Sequence, residues 1–128
     1  VTAGVIQRDG RTLITRRPEG GHLAGYWEFP GGKQEGEETL EACLMREIHE
    51  ELGIQVHPSE HLLTEAYEYE TKRVTLHFFA CAIPEDQEPR AIEGQEIRWA
   101  TPEDFLLLRF PPPDLRLIAL LQNPGDTS

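Results

Sequence analysis

At 128 residues, 38% of them apolar and 27% charged, the chain can bury the core of one globular domain and is too short for two. Its 12 basic and 23 acidic residues leave a net charge of -11, which excludes a surface built to hold a nucleic-acid polymer and leaves open a single nucleotide reached through a divalent cation. No apolar run approaches the ~18–20 residues that span a bilayer, no secretory pattern is present, and Cys43 and Cys81 make neither a metal spacing nor a disulfide framework, so no membrane partner and a cytoplasmic location are expected.

Residues 1–7 (VTAGVIQ) read as a buried strand, and Arg8-Asp9-Gly10 as a hairpin turn into a second strand, TLITRR. The segment 17–25, RPEGGHLAG, reads as loop, and YWEF as a short strand stopped by Pro30, Gly31 and Gly32. From Thr39 to Leu52 the periodicity turns helical: Leu40, Leu44, Ile48 and Leu52 fall at i+4 steps. Thr39 can cap that helix, and Gly53 can take the left-handed conformation that ends it. LLTEAYEYE and RVTLHFFACAI flank Thr71-Lys72 as an antiparallel hairpin, and 82–95 is a polar loop. EIRWA is a strand leading into Thr101-Pro102-Glu103-Asp104, a helix start. RFPPPD interrupts the chain before a last amphipathic helix over 115–122, and residues 123–128 are expected to fray. With no repeat or linker, the elements predict one α+β or α/β domain, 1–128, with a mixed sheet.

The stretch REIHEELGI, 46–54, is the chemically informative one. On a helix Glu47, Glu50 and Glu51 occupy an arc of roughly 100°. A solvated acidic face is the plain explanation, yet like charges three and four apart destabilise a helix, and acids near its C-terminal end oppose the macrodipole. Clustered hard oxygen ligands are what Mg²⁺ or Mn²⁺ requires.

Reading backwards, Gly32 is followed by Glu38, Arg46 and then REIHEELGI, which fills every fixed position of G-x5-E-x7-R-E-U-x-E-E-x-G-U, where U is a bulky aliphatic. This stretch, 32–54, resembles the Nudix box, the signature of the Nudix hydrolases. LITRRPEGGHLAGYWEFPGGK and FPPPDLRLIALL look like the corresponding segments of the MutT branch. The resemblance implies an α/β/α sandwich around a mixed sheet and metal-dependent hydrolysis of a nucleoside diphosphate linked to another moiety. In the MutT branch a (deoxy)nucleoside triphosphate gives a monophosphate and pyrophosphate, most notably from 8-oxo-dGTP.

Carried onto this chain, the resemblance makes Glu47 and Glu51 the principal metal ligands and Glu50 a direct or water-mediated one. The Gly31 carbonyl completes the shell, and Glu93, in IEGQE, reaches back to a second metal. Glu47 is the chosen general base, and without metal the acid cluster is expected to resist full ionisation. Arg46 orients the glutamates, with Glu38 pairing to it; an ordinary surface ion pair is the plain alternative.

Recognition of the nucleoside falls outside the box, and the resemblance maps it onto Arg17, His22, Glu28, Phe29 and Asp114. MutT itself has an asparagine at the position of Asp114. An ionised aspartate only accepts hydrogen bonds, so it suits N1–H and the 2-amino group of 8-oxoguanine, or the 4-amino group of cytosine. It is also a natural N-cap for the last helix. Tyr67 or Tyr69 could stack on a base, although hairpin packing explains them as well. Trp27 and Trp99 are expected in the core. The expectation is therefore a monomeric, Mg²⁺-dependent nucleoside triphosphate diphosphatase (Mn²⁺ substituting), with 8-oxo-dGTP ahead of CTP or dCTP. A non-catalytic nucleotide sensor is the alternative from another class, disfavoured by the intact box.

Overall fold

The computed structural model describes residues 1–16 and 25–122. The sequence expectations for 17–24 and 123–128 lie outside the described residues.

Strand β1, Thr2–Arg8, turns at Asp9-Gly10 into β2, Arg11–Arg16. Two short pairings follow, β3 at Trp27–Glu28 and β4 at Gly31–Gly32, before helix α1, Leu40–Leu52. Then come β5, His57–Glu68, β6, Arg73–Ala82, and β7, Glu96–Ala100. One turn of helix, α2 at Asp104–Leu107, a 3₁₀ turn at Pro112–Asp114 and α3, Leu115–Gln122, complete the described chain.

The strands join in the order β3-β2-β1-β6-β5, with β4 also on β1 and β7 also on β2. β1 runs parallel to β6, pairing Thr2 with His77 and Ile6 with Cys81; the other pairings are antiparallel. The sheet is therefore mixed, as expected.

Each face of the sheet buries its own apolar cluster. On one face Ile6, Leu13, Phe79 and Cys81 meet Leu44, Ile48 and Leu52 of α1. On the other, Ala3, Val5, Ile14, Trp27, Phe29 and Phe78 meet Phe105, Phe110, Leu117 and Ile118 from the C-terminal segments. Helices thus lie on both faces of the sheet. Phe29 is the centre of the second cluster, edge-on to Phe78 at 5.9 Å and stacked against Phe105 at 6.1 Å.

Helix α1 starts and stops where its sequence says. The Thr39 hydroxyl accepts the Ala42 N–H at 3.0 Å, and Gly53, at φ 70°, ends the helix in the left-handed region. Other expectations need revising. β5 begins five residues before the predicted LLTEAYEYE strand and includes Pro58, which is tolerated because β5 is an edge strand with register shifts near Pro58 and Leu63. Gly31-Gly32, expected only to stop a strand, forms a two-residue pairing of its own against Thr2 and Ala3. Trp27 lies in the core as expected, and Trp99 packs half-buried against the cluster on the α1 side, with the Arg8 guanidinium 5.3 Å over its ring.

Candidate active site

The helical spacing of α1 turns Leu44, Ile48 and Leu52 into the sheet and leaves Glu47 and Glu51 at the edge of that buried stripe, beside β4. A Cβ on Gly32 would stand 2.7 Å from Cγ of Glu47 and closer still to its carboxyl group. One on Gly31 would meet the backbone of Thr2 and Ala3. The two glycines therefore let strand β1, the box loop and the acids of α1 approach closely.

Arg46 organises the loop ahead of the helix. It grips Glu38 with two nitrogens, at 2.6 and 2.9 Å, and donates to the Lys33 carbonyl at 3.1 Å. Its Nη1 donates to Glu47 at 3.0 Å and to Glu50 at 3.4 Å. The forked, charge-assisted contact holds the Glu38 carboxyl well below its ordinary range, at about 2, and pushes Arg46 upward. The Glu38–Arg46 pairing expected from the sequence is thus present, and the same cation fixes Glu47.

Glu51 lies at the opposite electrostatic extreme. Burial, followed by the charges of Glu47, Glu93 and Glu28, pushes its carboxyl from 4.5 to about 8, against the lowering effect of a hydrogen bond from the Gly31 N–H. As expected for the metal-free cluster, full ionisation is resisted. Glu93 reaches this group from the loop between β6 and β7, while Glu50 is half exposed and turned to Arg46.

A cleft of ≈ 240 Å³ adjoins the acids. The glycine pair and Lys33 border it together with Glu28 and Phe29; Pro111, Pro113 and Asp114 form another part of the wall, and Tyr69 and Lys72 come from the β5–β6 turn. Asp114 is buried, with 4% of its surface exposed, although aspartate ordinarily stays in water. It closes the 3₁₀ turn that leads directly into α3. Tyr67 and Tyr69 pack edge to face at 5.0 Å, and Tyr69 also lines the cleft.

The NUDIX domain family matches residues 1–120. The chain belongs to the Nudix hydrolases. It is thus a hydrolase of phosphoric anhydride bonds, in a family that generally uses divalent metal ions and acts on small nucleotide substrates. Over 119 residues this Nudix hydrolase is 36% identical to a CTP pyrophosphohydrolase of Escherichia coli (strain K12), covering 92% of this chain and 87% of that protein. Over 126 residues it is 37% identical to an 8-oxo-dGTP diphosphatase of the same strain, covering 96% and 95%. A MutT protein from Methanosarcina mazei Go1 superposes with a TM-score of 0.82 at 25% identity, over 97% of this chain and 92% of that one. These likenesses place the Nudix hydrolase in the MutT-like branch with an α+β fold.

Among the residues singled out from the sequence, the structure gathers Glu28, Glu47, Glu51 and Glu93 electrostatically, and Glu28, Phe29, Gly31 and Asp114 along the cleft. Glu50 is half exposed and shares Arg46 Nη1 with Glu47, and Arg17 and His22 lie outside the described residues. Glu28 was assigned from the sequence to the nucleotide alone; its charge also bears on Glu51. Lys33 and Lys72 were not singled out, yet they are the only lysines in the sequence and both line the cleft. Their rarity in so acidic a chain was the available signal.

Carboxylates are hard oxygen donors, and their mutual repulsion at Glu51 is what a divalent cation would relieve, so charge and donor chemistry fit such an ion. Among the described residues no three carboxylate, imidazole or thiol groups already stand in the arrangement of a coordination shell. No helix among them is long and apolar enough to cross a membrane.

Proposed function

We propose that this enzyme hydrolyses a nucleoside triphosphate to the monophosphate and pyrophosphate with Mg²⁺, which Mn²⁺ can replace, and that its principal substrate is 8-oxo-dGTP. The cleft carries the reading. It borders the box at Gly31-Gly32 and contains a buried aspartate, Asp114, in its wall. A nucleotide along it sets its phosphates toward the acids and its base toward Asp114. Both N1–H and the 2-amino group of oxidised guanine can donate to one carboxylate. The likeness to proteins named 8-oxo-dGTP diphosphatase supports the same substrate.

Glu47, Glu51 and Glu93 would hold the cation, with Glu50 directly or through water and the Gly31 carbonyl completing the shell. When bound, the ion supplies neutralisation of the triphosphate and acidifies water. Glu47, held by Arg46 at 3.0 Å, takes the proton as water attacks the β-phosphorus. Lys33 and Lys72 line the cleft and would add positive charge beside an anionic substrate. Arg17, His22, Glu28 and Phe29 complete nucleotide binding in this reading, Phe29 through its backbone, since its ring belongs to the core.

Cytidine triphosphates are the second reading, because Asp114 can equally accept from the 4-amino group of cytosine, and one relative is named a CTP pyrophosphohydrolase. Steady-state hydrolysis with Mg²⁺ across 8-oxo-dGTP, dGTP, CTP, dCTP and ADP-ribose, with products identified, separates the two. Preference for 8-oxo-dGTP with pyrophosphate released supports the first, and preference for cytidine nucleotides the second. No turnover of any would refute both. Asp114→Asn is expected to reorder the bases while leaving the position of bond cleavage unchanged.

A further inference from the structure

Three acids of the cluster come from regular elements or their immediate flanks, Glu47 and Glu51 on α1 and Glu28 in β3, whereas Glu93 belongs to the irregular stretch between β6 and β7. An exposed loop residue needs something to hold it where a cation could use it. The last carbonyls of a helix have no partner within the helix, and here the loop supplies them. Arg90 N–H donates to the Leu52 carbonyl at 2.8 Å, and Ile92 N–H to that of Glu51 at 3.3 Å.

The side chain of Gln95 adds the decisive link. Its Nε2 donates to the Glu51 carbonyl at 3.1 Å, and its Oε1 accepts the Glu93 N–H at 3.0 Å. A carboxamide offers a donor and an acceptor together, and this one spends each on the backbone of a different acid. The chain can fold back in this way because Gly94 takes φ 75°, with its own N–H on the Ala91 carbonyl at 3.0 Å. A Cβ on Gly94 would meet nothing within 4 Å, so the glycine serves the backbone turn and no packing.

We propose that Gln95 is a positioning residue, a clamp that fixes loop-borne Glu93 against the C-terminal end of α1 and so completes the acid set for a divalent cation. The proposal rests on the reading above in which Glu51 and Glu93 serve one cation site. Gln95 itself touches neither substrate nor ion.

The test compares wild type, Gln95→Met, Glu93→Gln and the double variant. Each is titrated with Mn²⁺ in the absence of nucleotide, assayed for kcat and KM with Mg²⁺, and examined for hydrogen exchange at the Glu93 amide. Met preserves the length and removes both hydrogen bonds. The expected result for Gln95→Met is a Mn²⁺ Kd weakened roughly three- to tenfold, from the loss of two modest hydrogen bonds. Faster exchange at Glu93, a fall in kcat larger than any change in KM, and almost no further effect in the Glu93→Gln background should accompany it. Gly94→Ala, which strains the same turn, should shift the Mn²⁺ Kd in the same direction. Equal losses in both backgrounds, or an unchanged Mn²⁺ Kd in Gln95→Met, would overturn the clamp. If Glu93→Gln alone leaves Mn²⁺ binding and turnover intact, it is the assignment of Glu93 to the site that fails, and the clamp falls with it.

Discussion

Replacing Glu51 by glutamine should make the metal-free protein more stable at alkaline pH while destroying its activity. The carboxyl of Glu51 is pushed from 4.5 to about 8 by burial and by its acidic neighbours. Between those values the folded state keeps a proton that the unfolded chain has released. Stability therefore falls as pH rises through this window, and the loss is complete above about 8. The difference corresponds to at most about 5 kcal/mol, and to about 2–3 kcal/mol once residual solvent screening is allowed for. Glutamine cannot ionise, yet keeps an oxygen for the Gly31 N–H. Urea unfolding with chelator present should show Glu51→Gln more stable than wild type by about 2–3 kcal/mol at pH 9, the gain vanishing near pH 4.5. Added Mg²⁺ should reverse the order, stabilising the wild type and leaving the variant unmoved. Parallel stability–pH curves for the two proteins would refute the reasoning.

Glu47→Gln should abolish turnover with the fold retained, checked by steady-state assay alongside circular dichroism; residual wild-type activity would remove Glu47 as both base and ligand. Gly32→Ala forces a methyl group against Glu47, so kcat should fall on the order of a hundredfold while thermal unfolding shows the chain still folded. Thr39→Ala removes the cap of α1 and should cost about 1 kcal/mol in urea unfolding, with kcat unchanged.

The helix that carries the acids was legible because its signals are local: an i+4 apolar stripe, a threonine before it and a glycine after it. The β1–β2 turn was legible for the same reason. The pairing of Gly31-Gly32 with β1 was not, since two glycines carry no strand propensity and only their partner across the sheet makes them a strand. The start of β5 was hidden in HPSEH, a polar edge segment without clean alternation. Within the site, the box gave the positions of Glu47 and Glu51, but the part that Glu28 plays at Glu51 is a product of folding. The cleft that brings Lys33 and Lys72 together likewise depends on segments far apart in the chain.

Strand β1 looks both ways. Thr2 and Ile6 meet the side of the sheet covered by α1, where Thr2 touches Cys43, while Ala3 and Val5 belong to the cluster of Phe29, Phe105 and Phe110 that underlies the Asp114 wall. On the proposed reading, bond breaking and base reading would be anchored in different cores, separated by the thickness of one sheet. Substitutions that remodel the wall around Pro111–Asp114 would then fall mainly on one core, while the helix that carries Glu47 and Glu51 packs against the other. Such a partition would let the diet of the enzyme drift while its hydrolytic apparatus is inherited whole, which suits a scaffold shared by relatives named for both an oxidised purine and a pyrimidine triphosphate.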